Sequence, residues 1–164
     1  MASTITAATL TVTVTESVTL NGSDQGASNA LTVASVNEVV KRIVSVSTTE
    51  SGLLGFSTAS STDLSKSYLA GQFDEDDVRY IRITNKDDTN FATLVFKSEG
   101  NAEFAVKLDA GHSFILPGDN SGGVKDVMDA SASALTVSLE DLVDITADAD
   151  TADVDLEVLV AYVE

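Results

Sequence analysis

The sequence predicts an all-β fold, a single antiparallel β-sandwich of jelly-roll-like architecture with about 8–10 short strands. Apolar and polar residues alternate with a period of two along most of the chain, and clusters of Gly, Asn, Asp and Ser separate the alternating runs. Few segments show helical spacing. Because 164 residues is an ordinary length for one domain, residues 1–164 are expected to form one sandwich.

The first segment combines a long Thr/Val run with a polar exit. Apolar residues occupy alternate positions among threonines: Leu10, Val12, Val14, Val18 and Leu20. This pattern is typical of a half-buried strand or hairpin. Residues 21–29 then gather Gly, Asn, Asp and Ser, which favour turns. Residues 1–29 are therefore expected to form an extended arm or edge strand that pairs with a neighbouring subunit.

The next run predicts a strand that crosses the sheet. Val40, Val44 and Val46 share one face of this strand, whereas Lys41 and Ile43 share the other. A brief strand is expected at residues 53–56, followed by a loop rich in small residues.

Four further runs follow from residue 77: "DVRYIRITN", "NFATLVFKS", "EFAVKLDAG" and "HSFIL". Short turn sequences separate them, which predicts a meander of four consecutive strands. The last turn ends at Gly111, where glycine tolerates a positive φ, and His112 follows directly.

The end of the chain predicts more strands. "ALTVSL" at residues 134–139 alternates, and "EDLVDI" at residues 140–145 fits either a strand or one helical turn. "TADADTAD" at residues 146–153 is interpreted as a small acidic loop. The final run places apolar side chains on one face of a strand: Val154, Leu156, Val158, Val160 and Tyr162.

Charge and composition narrow the range of partners. A net charge of -17 repels phosphate backbones and anionic lipid surfaces, so neither nucleic acid nor a membrane is an expected partner. The chain has no cysteine, which excludes disulfides and thiolate chemistry. No secretory leader is recognisable, and no run approaches the roughly 18 apolar residues that span a bilayer. A soluble protein without export is expected.

The single histidine offers little chemistry. "GHSFI" begins like a nucleophile elbow, but Ile115 occupies the place of the second glycine, and no other histidine exists to act as a base. Histidine-rich metal sites need several histidines on neighbouring strands. His112 is therefore interpreted as a turn or contact residue. We expect no enzymatic activity and no cofactor.

Acidic residues raise the question of calcium. Asp148, Asp150 and Asp153 partly match a calcium-binding loop, but Asp153 stands where that loop needs glycine and Leu159 where it needs glutamate. A solvated acidic loop is the favoured interpretation. A calcium site there, or at residues 74–77, is the alternative.

Two motifs carry a resemblance to a known class of proteins. They are "YIRITN" at residues 80–85 and "LxAGxSFIL" at residues 108–116. With its Thr/Ser/Val-rich composition, the chain resembles over most of its length the small all-β virion proteins of tailed bacteriophages. The resemblance includes no catalytic signature. With the turn analysis, it suggests structural or interface residues: Tyr80, Arg82, Asn85, Gly111, His112 and Phe114.

The resemblance implies a head decoration or cement protein. Such a protein binds the outer capsid lattice as a homo-oligomer, with a trimer as the favoured state, after a period in the host cytoplasm. Its partner would be the major capsid protein or another virion protein. A tail tube, adaptor or fibre-base component is the first alternative. A calcium- or carbohydrate-dependent adhesion module is the second.

Overall fold

A computed structural model describes residues 5–56, 73–98, 102–117 and 141–163. Within these ranges the chain forms twelve β-strands and no helix. The strands are β1 (Ala8–Thr15), β2 (Thr19–Leu20), β3 (Ser23–Asp24), β4 (Ser28–Val36), β5 (Glu38–Val46), β6 (Ser51–Gly55), β7 (Val78–Asn85), β8 (Ala92–Ser98), β9 (Glu103–Leu108), β10 (Ser113–Pro117), β11 (Leu142–Ala149) and β12 (Val154–Tyr162).

Eight of these strands build two four-stranded sheets that pack against each other. Sheet I has the order β10-β7-β12-β5, and sheet II has the order β6-β11-β8-β9. All neighbours are antiparallel. The pairs β5–β12, β6–β11, β7–β10 and β8–β9 are nested along the chain, which is the connectivity of a jelly roll. The predicted antiparallel β-sandwich is confirmed.

The core lies between the inner faces of the sheets. Alternate residues of the central strands point inward because successive side chains of a strand face opposite sides. Those fully buried include Ile81, Ile83, Leu94, Phe96, Leu156 and Val158. The predicted faces of β5 and β12 are confirmed. Val40 and Val44 pack against the core, and the five alternating residues of β12 belong to the core or contact it.

The predicted meander is wrong. Its four runs are indeed strands β7 to β10, but among consecutive pairs only β8 and β9 are neighbours. The chain passes from sheet I to sheet II after β7 and returns after β9, so that β10 pairs with β7. Period-two alternation specifies which face of a strand is buried, not which strand lies beside it.

The acidic loop expected at residues 146–153 is shorter than predicted. Thr146, Ala147 and Ala149 are buried residues of β11, so only residues 150–153 form the turn before β12. The small side chains of Ala and Thr are suited to a closely packed strand, and Asp148 lies between two of them in the sequence. Residues 142–145 of the "EDLVDI" run belong to this strand and not to a helical turn, and Glu140 lies outside the described residues. The "ALTVSL" run lies outside the described residues.

Strands β1 to β4 form one nested hairpin, residues 8–36, which we call the arm. β1 pairs with β4, and the short β2 pairs with β3 near the tip. The base of the arm packs on the outer face of sheet I through a second buried cluster of Val33, Val36, Tyr80 and Ala161. Pairing of this segment with a neighbouring subunit stays a prediction. Within the described part of the chain, no helix has the length and hydrophobicity needed to cross a membrane.

Candidate functional site

The tip of the arm is a hydrogen-bonded extension of the hairpin. Asn21 and Gly22 connect β2 to β3 with φ values of 51° and 78°, as a two-residue type I′ turn requires. Further back, a Cβ on Gly26 would lie 2.2 Å from the carbonyl oxygen of Glu16, so this position accepts no larger residue without rearrangement. The amide of Glu16 in turn donates to the carbonyl of Ala27 at 2.8 Å.

The arm has one apolar face and one threonine face. Leu10 lies opposite Val33 and Val12 lies opposite Leu31, whereas Thr11 and Thr13 point to the other side. Near the base, Val33 is only 1% exposed because it packs on sheet I. Farther out, the apolar side chains have no such cover.

The uncovered part of this face and the tip beyond it form what we call the arm strip. Its members are Val14, Val18, Leu20 and Leu31, with exposed fractions of 47%, 50%, 62% and 37%. Because burying apolar surface is favourable, a hydrogen-bonded projection that displays four large aliphatic side chains is a candidate contact surface.

A second exposed surface lies on the outer face of sheet I, beside the base of the arm. We call it the outer patch, and its members are Val39, Lys41, Ile43, Arg82 and Ile115. The strand registers place Ile115 beside Arg82, and Leu159 between Arg82 and Lys41. Val39 and Ile43 are 55% and 63% exposed. The patch therefore combines aliphatic groups with two cations.

The carboxylate of Glu157 forms ion pairs with both cations of the outer patch, Lys41 and Arg82. Glu157 Oε1 accepts a hydrogen bond from Arg82 at 2.7 Å, and Glu157 Oε2 lies 3.1 Å from Lys41 Nζ. These hydrogen bonds, from Arg82 first and then Lys41, hold the pKa of the Glu157 carboxyl below its usual range. Lys41 and Arg82 are thus two cations on the outer face of a chain of net charge -17, with Glu157 between them and exposed Asp155 two residues before it on the same face of β12.

Three of the residues that the sequence singles out meet at the turn between β9 and β10. Gly111 adopts a φ of 73°, as expected for a glycine turn. The backbone amide of His112 donates to the carbonyl of Asp109 at 3.0 Å, and the carbonyl of His112 accepts from the amide of Asn85 at 2.9 Å. The exposed imidazole Nδ1 lies 3.0 Å from the carbonyl oxygen of Ala110. The geometry is that of a structural junction.

The other three occupy separate places. Tyr80 is buried beneath the base of the arm. Phe114 is half-buried between the sheets, with its ring 5.0 Å from that of Phe96. Arg82 is a member of the outer patch and also donates to Thr84 Oγ1 at 2.5 Å.

The acidic residues that the sequence suggests as calcium ligands do not form a metal site. Asp148 lies in β11 opposite Thr93, and Asp150 Oδ1 accepts a hydrogen bond from the hydroxyl of Thr151 at 2.9 Å. Asp153 is exposed in the turn before β12. Across the described ranges, no three side chains of His, Cys, Asp or Glu are grouped so that they could hold a metal ion.

Glu75 is the one buried acidic residue in the part of the chain that the structure describes. Only 5% of it is exposed, and its Oε2 has no hydrogen-bond partner among the described residues. Burial raises the pKa of the Glu75 carboxyl, a backbone hydrogen bond opposes that shift, and the nearby charge of Asp74 adds to it. An ionised Glu75 therefore destabilises the folded chain.

Comparisons with protein-family models, with curated proteins and with solved structures give no match to this chain. Its function is therefore inferred from its own residues, above all from the arm strip and the outer patch.

The sequence did not identify Val39, Ile43 or Glu157 as residues of interest. Ile43 shares its face of β5 with Lys41, so the alternation did indicate that the two lie together. That this face is exposed beside the arm depends on which surface of sheet I the arm covers, and the periodicity of a single strand carries no such information.

Proposed function

We propose that the chain is a non-enzymatic virion structural protein of the head-decoration or cement type. It binds the outer capsid lattice as a homo-oligomer and stabilises that lattice. The observation that carries this proposal is the arm, a hydrogen-bonded hairpin whose outer half displays an apolar strip. Exposed apolar surface on a defined projection favours a role in assembly, since burying it against a partner lowers the free energy.

The single histidine takes part in the local structure of a turn. The backbone amide and carbonyl of His112 hold the turn between β9 and β10, and its exposed imidazole lies beside the carbonyl of Ala110. This position is compatible with a structural protein.

The fold is compatible with a position on the outside of a head, and the charge favours it. Jelly rolls are found in viral capsid proteins and also in lectins and cupins, so the fold is compatible with the proposal without selecting it. The net charge of -17 opposes contact with packaged DNA and is suited to a surface that faces solvent.

Co-sedimentation with capsids tests this function. Purified protein is mixed with expanded capsids that lack it, with unexpanded precursor capsids as the matched control. We expect saturable binding to the expanded capsids and a greater resistance of those capsids to heat. Binding to tail tubes alone, or particles without the protein that keep stable DNA-filled heads but lose their tails, would overturn the assignment.

A further inference from the structure

We propose that the arm of one copy packs with its arm strip on the outer patch of a second copy of this chain. The proposal deepens the homo-oligomer of the proposed function, on which it rests, by naming the two surfaces that meet.

The packing within one chain provides the first argument. At its base, the apolar face of the arm already packs on the outer face of sheet I: Val33 and Val36 are buried with Tyr80 and Ala161. Leu10, Val12 and Leu159 complete the contact. This ribbon face and this sheet face therefore fit each other. The arm strip continues the same ribbon, and the outer patch continues the same sheet face.

Charge complementarity provides the second argument. Glu16 and Asp24 are the only charged residues between residues 8 and 36, so the arm is acidic. The outer patch carries Lys41 and Arg82, which share a single carboxylate. Two copies with a net charge of -17 each repel one another over most approaches. An acidic arm that approaches Lys41 and Arg82 meets less of this repulsion than one that approaches a surface of carboxylates.

The reach of the arm provides the third argument. From Thr13 to the turn at Asn21, an extended strand covers about 25 Å at about 3.3 Å per residue. The outermost strands of a four-stranded sheet lie about 15 Å apart at a spacing of about 4.8 Å. The uncovered part of the arm is therefore long enough to cross the outer patch of a neighbouring copy.

Paired variants test the contact by sedimentation velocity on the full chain. Val14→Glu places a charge in the arm strip, and Thr13→Glu places the same charge one residue away on the threonine face, as its matched control. Ile43→Glu alters the outer patch. We expect Val14→Glu and Ile43→Glu each to weaken self-association by at least about tenfold, as truncation of central interface residues does. Thr13→Glu should leave it within about twofold.

Mixing the two defective variants gives the sharpest readout. The Ile43→Glu chain keeps an intact arm and the Val14→Glu chain keeps an intact outer patch, so the mixture should associate although neither variant does so alone. Thermal unfolding of each variant confirms that it is folded. A mixture that stays monomeric, a wild-type chain that is monomeric at about 0.1 mM, or a Thr13→Glu variant as defective as Val14→Glu would overturn the proposal.

The outcome separates this contact from the proposed function. A monomeric chain that still binds capsids would refute the contact and leave the decoration role standing, and loss of that binding in Val14→Glu would identify the capsid as the occupant of the arm strip. Copies that join through the arm but bind no capsid would refute the decoration role and leave the contact standing.

Discussion

The side chain of Asn85 joins the two sheets of the sandwich to each other. Its Nδ2 donates to the carbonyl of Leu108 in sheet II at 3.1 Å, although Asn85 itself ends β7 in sheet I. The same nitrogen donates to the carbonyl of Asn90 at 2.9 Å, and Oδ1 accepts from the amide of Asp87 at 2.9 Å. Asn85 is completely buried, so water cannot take its place as the hydrogen-bond partner of these backbone groups.

Replacing Asn85 by Leu should therefore destabilise the protein strongly. The change leaves two carbonyls and one amide without their partner, and we expect a loss of about 2–4 kcal/mol in the free energy of unfolding. Urea denaturation measures it. Asn29→Ala, at an exposed position of the arm, is the control and should stay within about 0.5 kcal/mol. An Asn85→Leu variant of normal stability would show that these hydrogen bonds do not hold the two sheets together.

Gly111 and His112 should differ in their tolerance of substitution. A Cβ on Gly111 meets no atom within 4 Å, so the cost of Gly111→Val arises from the φ of 73° alone. We expect about 1–2 kcal/mol, since β-branched residues are disfavoured in the left-handed region. His112→Ala keeps both backbone hydrogen bonds and should change stability by less than about 0.5 kcal/mol. Thermal unfolding of both variants measures the two losses. A larger loss of stability in His112→Ala than in Gly111→Val would contradict the turn interpretation.

Two isoleucines provide a matched test of the fold. Ile81 is fully buried in the core, whereas Ile43 is 63% exposed. Ile81→Ala should cost about 2–5 kcal/mol through lost burial and the cavity that remains. Ile43→Ala should cost less than about 0.5 kcal/mol when the variant is measured as a monomer. Equal losses in chemical denaturation would mean that the two faces of sheet I are assigned wrongly.

Glu75 should make the protein less stable as the pH rises. Because its pKa is raised in the folded state, the native chain holds a proton that the unfolded chain has lost. The associated stability is complete below the unfolded pKa of about 4.3 and disappears as the pH rises through the folded pKa. Glu75→Gln should therefore increase the free energy of unfolding at pH 7. That gain should vanish below about pH 4. A gain that is independent of pH would contradict this explanation.

Glu157→Gln should change the free energy of unfolding at pH 7 in the opposite direction from Glu75→Gln. Hydrogen bonds from Arg82 and Lys41 lower the pKa of Glu157, so its stabilisation is present above the unfolded pKa and is lost as the pH falls through the folded pKa. We expect Glu157→Gln to be less stable than the wild type at pH 7 and indistinguishable from it in strong acid. Urea titrations of this variant and of Glu75→Gln over the same pH range compare the two carboxyls directly.

The faces of the strands were predictable from the sequence, but the partners of the strands were not. The side chains of Lys41 and Ile43 point to the opposite face of β5 from those of Val40 and Val44, whichever strands lie beside it. This alternation is a property of a single strand. Whether β8 follows β7 in the same sheet depends on contacts between distant residues. The predicted meander failed for this reason.

The candidate site, too, was predictable from the sequence only in part. Asn21-Gly22 is a local hairpin signal, and the threonine alternation of the arm gives its two faces. The contrast between a buried Val33 and an exposed Val14 depends on where sheet I ends beneath the arm. Likewise, Glu157 meets Lys41 and Arg82 only because β12 lies between β5 and β7.

The copy number of the chain in purified particles of the virus that encodes it tests the central claim most directly. Quantitative mass spectrometry against the major capsid protein measures that number. A protein that covers the head repeats with the symmetry of the lattice, so the account predicts on the order of hundreds of copies per particle. A count of about six to a few dozen, the multiplicity of tail parts with cyclic symmetry, would contradict it, as would the absence of the chain from the particle.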